Sequence, residues 1–168
     1  MALPRDGAKG SAVKGDGGRK EIVTLVGVGQ STPGARFIAS KPPEVCTSCK
    51  LFAACMAKLI PGRAYEVTMI RDKEHFCPLY EGMVKVAKVI EAPVDVLVKP
   101  QHAMEGAIIT IEIEKCEKRC PLEKECMPEW AAGSQKARVK VISLSEDVSD
   151  LAVCGKKFRK AKALIVGP

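Results

Sequence analysis

The chain has 168 residues, of which 46% are hydrophobic and only 4% aromatic, and 27 Lys and Arg against 20 Asp and Glu give a formal charge of +7. The apolar content excludes wholesale disorder, and no apolar run approaches the roughly 18 residues that a transmembrane helix needs. The first residues, MALPRDGAKGSAVKGDGG, lack the apolar segment of a secretory signal peptide. We therefore expect a soluble cytosolic protein of one ordinary domain or two small ones.

Most of the positive charge lies at the two ends of the chain. Residues 1–20 are rich in glycine and carry a net charge of +3, residues 155–168 carry +5 without an acid, and residues 21–154 sum to −1. A segment of Gly, Ser and Lys cannot bury enough surface to offset chain entropy, so residues 1–20 are predicted to form a flexible basic arm. Basic ends of this kind favour contacts with RNA phosphates, although a solvated tail without a partner is the alternative. The candidate RNA-binding residues are Arg5, Lys9, Lys14, Arg19, Lys20, Lys156, Lys157, Arg159, Lys160 and Lys162.

An internal duplication divides the chain into two halves. In each half a Val-rich strand, a turn at a glycine and a second strand lead into a cysteine cluster, CTSCKLFAAC in the first and CEKRCPLEKEC in the second. The first cysteines of the two clusters, Cys46 and Cys116, lie 70 positions apart. We therefore assign a first module to residues 21–92 and a second module, which includes the basic C-terminal segment, to residues 93–168.

Short segments rich in β-branched residues predict that the modules consist mostly of strands. Examples with alternating polarity are YEVTMI, IITIEI and RVKVIS. One helix is predicted over Ser48–Leu59, where apolar residues recur at steps of three and four, and a shorter one around Cys126. The expected fold class is α+β and mostly β, with two small antiparallel sheets or partly open barrels of four strands and a short helix each.

All eight cysteines fall into two sets with the same order. The first set, Cys46, Cys49, Cys55 and the remote Cys77, has the spacing C-x2-C-x5-C, and the second, Cys116, Cys120, Cys126 and the remote Cys154, has C-x3-C-x5-C. A repeated pattern of four thiols predicts metal binding before disulfides in a chain without an export signal.

The identity of the metal is less determined than its presence. Three clustered thiols and one distant thiol suit a 4Fe-4S cluster, and the Cys77–Pro78 pair is typical of such sites, whereas structural zinc more often uses two tight pairs. We expect two 4Fe-4S clusters, with two Zn²⁺ ions as the alternative and disulfides or free thiols as the third possibility. Because a half of about 70 residues supports only a thin core, the metal is predicted to be structural.

Two resemblances extend this interpretation. The C-x2-C-x5-C run, with Phe52 in its gap, resembles the iron-sulfur staple of certain helicase-nuclease proteins over about ten residues. The stretches VTLVG, CTSCKLFAAC, PGRAYEV and HFCPLYEG resemble a family of archaeal proteins of unknown function, over roughly residues 20–168. This second resemblance implies an archaeal cytosol and brings no activity.

The sequence contains no recognisable catalytic constellation, because its two histidines lack a partner pattern and its serines lack a nucleophile-elbow context. We expect a non-enzymatic RNA-associated metalloprotein that binds ribosomal RNA through its basic ends, with an archaeal ribosome, its RNA and its proteins, as the preferred host. The alternatives are a two-cluster iron-sulfur electron-transfer protein and an adaptor that binds an acidic protein. No small-molecule substrate and no membrane contact are predicted.

Overall fold

A computed structural model describes residues 19–113, 115, 116 and 119–167 of the chain. The predicted arm at residues 1–20 lies outside this range except for Arg19 and Lys20. The strands of the described residues are β1 (Ile22–Val26), β2 (Arg36–Ile38), β3 (Ala64–Cys77), β4 (Gly82–Glu91), β5 (Val94–Val98), β6 (Ile108–Glu112), β7 (Lys136–Asp147) and β8 (Arg159–Gly167). The α helices are α1 (Glu44–Thr47), α2 (Phe52–Cys55) and α3 (Glu123–Cys126).

The strands form two four-stranded antiparallel sheets with the same topology. The first sheet has the order β1-β4-β3-β2 and the second has the order β5-β8-β7-β6. The backbone repeats in detail, since the Gly34 amide donates to the Val67 carbonyl and the Gly106 amide donates to the Val141 carbonyl, both at 2.7 Å. The prediction of a mostly β chain with antiparallel sheets and short helices is therefore confirmed.

Each sheet buries one face in its own apolar core. Alternation along β7 shows the cause, because Ala137, Val139 and Val141 are buried while Lys136, Arg138 and Lys140 are exposed. The core of the first sheet contains Val26, Ala39, Tyr65, Val67, Ala87 and Val89. The core of the second sheet contains Val94, Val96, Val98, Val139, Val141, Ala161 and Ala163, together with Ala64 and Ala92 from the first half.

The two sheets contact each other through their ends. The Ala92 amide donates to the Ala64 carbonyl at 2.8 Å, which places both alanines against the second core. The Arg63 guanidinium pairs with the Glu91 carboxylate and also donates to the Val166 carbonyl at 3.1 Å. A strand of the second sheet is thus tied directly to the first half of the chain.

The predicted helix over Ser48–Leu59 is wrong. The structure has two single-turn helices, α1 and α2, separated by a turn in which the Phe52 amide donates to the Cys49 carbonyl at 3.1 Å. The Leu51 amide also lies 3.5 Å from the Cys49 sulfur. These local bonds satisfy backbone amides within the turn, so the chain does not continue as one helix from α1 to α2.

Candidate metal and nucleic-acid sites

The structure brings the first cysteine set together around one small cavity. Cys46 lies in α1, Cys49 in the following turn, Cys55 at the end of α2 and Cys77 at the end of β3. All four sulfur-bearing side chains line a cavity of about 30 Å³. The other lining residues are apolar or aromatic, and they include Leu25, Leu51, Phe52, Met56, Phe76, Pro78, Leu79, Tyr80 and Val84.

Two local structures present the remote thiol and the third thiol to this cavity. Cys77 pairs with Gly82 across the β3–β4 hairpin, whose turn contains Glu81 with φ of 51°. Cys55 is held against β1, since the Thr24 hydroxyl donates to the Cys55 carbonyl and the Cys55 thiol lies 3.9 Å from the Leu25 carbonyl. The sheet therefore carries one of these thiols directly and anchors the helix that carries another.

Electrostatic coupling shows that the thiols of the first set are near neighbours. Burial raises the pKa of the Cys46 thiol, and the Cys77 and Cys49 thiols raise it further. Burial also raises the pKa of the Cys55 thiol, partly opposed by its hydrogen bond to the Leu25 carbonyl, and Cys77 and Cys46 add to the increase. Thiols that disfavour one another's ionisation are stabilised as thiolates when a cation binds among them.

In the second cysteine set the Cys126 thiol is coupled to the other three. Burial raises the pKa of the Cys126 thiol to about 11, and the Cys116, Cys120 and Cys154 thiols and the Glu125 carboxylate contribute in that order. Cys120 and Cys126 pack against a small cluster formed by Leu97, Leu122 and Val148. Cys154 is exposed, whereas the other seven cysteines are partly buried.

The surfaces beneath the two cysteine sets differ in polarity. In the first sheet Val86 lies beside Leu25, and in the second sheet the equivalent pair is Lys160 beside Leu97. The Lys160 ammonium lies 3.2 Å from the carboxylate of Glu125, which precedes the Cys126 ligand position. The first set therefore has an apolar support and the second set has an ion pair.

The donor atoms fit a thiophilic metal centre, although the thiols are not in a closed coordination shell. The structure has all eight cysteines as thiols, and no group of three or more His, Cys, Asp or Glu side chains within the described ranges has metal-coordinating geometry. Four thiolates are the donor set of structural zinc and of 4Fe-4S clusters.

The structure describes only part of the predicted RNA-binding set. Arg5, Lys9 and Lys14 lie outside the described residues, Lys20 is exposed, and the Arg19 guanidinium donates to the Glu91 carbonyl at 2.7 Å. Lys156 and Lys157 are exposed in the loop after Cys154.

The remaining C-terminal cations belong to β8, an inner strand of the second sheet, and several contact other groups. Lys162 lies 2.9 Å from Asp95, Lys160 is paired with Glu125, and Arg159 donates to the Ser145 carbonyl at 2.7 Å. The C-terminal segment is thus a structural strand as well as a basic one.

A group of lysines that sequence reasoning missed lies close to the second cysteine set. Lys99, Lys136 and Lys156 line a cleft of about 290 Å³ together with His102 and Cys126. Of these cations only Lys156 belongs to the predicted set. Lys99 and Lys136 stand far apart in the sequence, and the only local signal was the alternating cations of KARVK at the start of β7.

Comparison with known proteins identifies the family. The model of the uncharacterised protein family UPF0179 matches residues 22–164. The chain belongs to this family. UPF0179 proteins of Pyrococcus furiosus and Pyrococcus abyssi are 33% and 35% identical to it, over 85% of this chain in both cases and over 95% and 96% of the relatives. The UPF0179 protein of Pyrobaculum islandicum is 42% identical over 61% of this chain and 62% of the relative.

The UPF0179 match confirms the archaeal resemblance. The matched range contains all eight cysteines and excludes residues 1–20, so the basic arm lies outside the shared region. No solved structure is significantly similar to this chain. No helix in the described part of the chain is long and apolar enough to cross a membrane.

Proposed function

We propose that this UPF0179 chain is a non-enzymatic, RNA-associated protein whose two sheets are each stabilised by a thiolate-bound metal centre. The observation that carries the metal centre is the convergence of Cys46, Cys49, Cys55 and Cys77 on one cavity of about 30 Å³. Apart from these thiols and Tyr80, the lining of the cavity is apolar, so the site offers ligands without neighbouring acids or bases for catalysis.

A structural role follows from the size of the cores. The core of the first sheet has six buried apolar residues, two of which are alanines. Burying a Val side chain contributes about 1.5–3 kcal/mol before chain entropy is subtracted. Binding of a metal to four cysteines contributes on the order of 10 kcal/mol, which exceeds the net stability that so small a core provides.

The association with RNA is supported by charge and by composition. The chain carries +7, and seven Phe, Trp and Tyr residues leave few platforms for stacking a single strand. We therefore expect most contacts to be with phosphates and with RNA shape, and few with unstacked bases. We place the protein on the archaeal ribosome, where dense ribosomal RNA phosphate neutralises basic arms.

The metal proposal is tested by metal analysis and circular dichroism of protein purified without oxygen. Two 4Fe-4S clusters would give a brown solution with absorbance near 400 nm, and two Zn²⁺ ions would give a colourless one. Metal removal under reducing conditions should abolish the β signal, because the metal stabilises the fold. Retention of the native signal and melting temperature after complete removal would contradict a structural role, and reversible one-electron chemistry in the folded protein would favour the electron-transfer alternative.

The RNA proposal is tested by sedimentation of native extract. The protein should cosediment with ribosomes and dissociate as salt increases, since counterion release weakens phosphate contacts. A variant that lacks residues 1–20 should dissociate at lower salt and keep both metal centres. Cosedimentation with an acidic protein in ribonuclease-treated extract would favour the adaptor alternative instead.

A further inference from the structure

The cleft of about 290 Å³ beside the second cysteine set is lined by both apolar residues and lysines. Its lining includes Leu97 and Lys99 from the end of β5 and residues 109–113 from β6 and its end. These are the two edge strands of the second sheet, whose order is β5-β8-β7-β6. The sheet must therefore curve enough for both of its edges to face one cleft.

The cleft combines an apolar floor with a cationic rim. Leu97, Ile111 and Phe158 provide apolar and aromatic surface, and Lys99, Lys136 and Lys156 provide three ammonium groups. Phe158 in this floor is held by backbone contacts, since its amide donates to the Ser149 hydroxyl at 3.1 Å and its carbonyl accepts from the Val148 amide at 3.0 Å. A site with a flat apolar surface and several convergent charges suits an anionic ligand that carries a planar body.

The carboxylates of the cleft leave an excess of positive charge. Glu125 is paired with Lys160, and Glu112 lies opposite Lys136 in the β6–β7 register. The lining thus holds three lysines, Lys99, Lys136 and Lys156, against these two carboxylates. The cationic surface also continues along β7, because Arg138 and Lys140 are exposed on the same side of the strand as Lys136. Residues two apart on one strand are separated by about 6.8 Å.

The first sheet serves as an internal comparison, because it has the same topology and lacks these cations. The β1–β4 and β5–β8 registers place Gly27 at the position of Lys99. The β2–β3 and β6–β7 registers place Gly62, Ala64 and Glu66 at the positions of Lys136, Arg138 and Lys140. The basic residues are therefore not required by the fold, and they belong to the second sheet alone.

We infer that this cleft and the adjoining β7 row bind the sugar-phosphate backbone of RNA, with one nucleotide seated in the cleft. Its phosphate contacts Lys99, Lys136 and Lys156, its base lies on Leu97 and Phe158, and the strand continues along Arg138 and Lys140. This inference rests on the proposed association with RNA and locates its main contact on the second sheet. An acidic protein would satisfy the lysines and leave the aromatic floor without a planar partner.

The test is binding of a short fluorescein-labelled oligouridine to the full chain, measured by fluorescence anisotropy over a range of salt. The test variant is Lys99→Glu with Lys136→Glu, and the matched control is Lys41→Glu with Lys73→Glu. Lys41 and Lys73 are exposed in the first half, and neither has an ion pair within the part of the chain that the structure describes. Both variants change the net charge by the same amount.

The expected loss follows from counterion release. Each phosphate contact with a single strand contributes about 0.7 to the slope of log affinity against log salt. One contact therefore raises the affinity about fivefold at 0.1 M relative to 1 M salt. Lys99 and Lys136 contact the same phosphate, so their loss should weaken binding about fivefold at 0.1 M and lower the slope by about 0.7. The control should lose much less affinity. Because Lys99 and Lys136 are exposed, circular dichroism and metal content should match the wild type, and Lys99→Gln with Lys136→Gln provides a milder second variant.

Four outcomes would overturn the inference. Equal losses in the test variant and the control would show that only net charge matters, and competition by polyglutamate as strong as that by RNA would show an acidic partner. Photocrosslinking of a 4-thiouridine oligomer outside the peptide that contains Phe158 would place the nucleotide elsewhere. If wild-type protein binds neither oligouridine nor ribosomal RNA, the proposed function itself fails, whereas wild-type binding that the test variant retains refutes the cleft alone.

Discussion

Substitution of Thr24 by Val isolates the contact that holds α2, which carries Cys55 of the proposed first metal centre, to its sheet. Thr24 is 1% exposed, and its hydroxyl donates to the carbonyl of Cys55 at the end of α2. The equivalent position in the second sheet is Val96, which is also 1% exposed and faces Ala161 as Thr24 faces Ala87. The protein itself therefore shows that valine fits this position of the fold.

The magnitude follows from two opposed effects. Loss of the hydrogen bond, with the Cys55 carbonyl left without this donor, costs about 1–3 kcal/mol. The added methyl group returns about 0.8 kcal/mol of burial. We expect a net loss of about 1 kcal/mol, which lowers the urea midpoint by about 0.3–1 M. If the whole loss falls on the anchorage of α2, metal should leave the first set about five times faster.

The assay combines urea unfolding with the rate of metal transfer to a chromophoric chelator. Thr24→Ser keeps the hydroxyl and should keep the slow release rate, although it removes a methyl group. Release from the second set should be unchanged, which provides a control within the same molecule. An unchanged release rate from the first set, with stability reduced, would show that Thr24 supports the core and not the metal centre.

Two further predictions concern the metal sets. Cys46→Ser should halve the bound metal measured by elemental analysis, because the thiols that couple to one another belong to the same set; loss of both metals from a folded chain would contradict independent sites. Because the pKa of Cys126 is raised to about 11, metal must displace its proton at neutral pH, so affinity at the second set should rise at least tenfold per pH unit between about pH 6 and 8. An affinity that is flat over this range, measured by competition with a calibrated chelator, would show that the Cys126 proton is retained.

The strands could be predicted because their signal is local. The segment KARVKV alternates, and the structure buries Ala137, Val139 and Val141 while it exposes the cations between them. The equivalence of the two sheets, though not their strand order, also followed from the 70-residue period, since two copies of one pattern fold into two copies of one sheet. Burial of one face of a sheet imposes alternating polarity on the sequence, so alternating polarity predicts a strand with one buried face.

The helix and the lysine cleft could not be predicted, for different reasons. The apolar spacing of Leu51, Phe52 and Met56 resembles a helix stripe, but these residues line the cysteine cavity from a chain that turns between α1 and α2. Lys99 and Lys136 are 37 positions apart in the sequence and meet only because β5 and β6 are the edges of one curved sheet. Tertiary contacts determine both features, and neither produces a periodic pattern in the sequence.

The two sheets share one topology, but their cysteine sets have different surroundings. The second set lies beside the lysine cleft, so metal binding there can affect the cleft. Glu125 pairs with Lys160 beneath the second thiol set, and Cys126 itself lines the cleft. Lys156 follows Cys154 by two residues, so ligation of Cys154 fixes the loop that carries this lysine. Metal bound by the second set is therefore expected to order part of the cationic rim, whereas metal bound by the first set is expected to stabilise a sheet without those cations. Damage to the second centre should weaken RNA binding more than damage to the first, even where the two contribute equally to the stability of their own sheets.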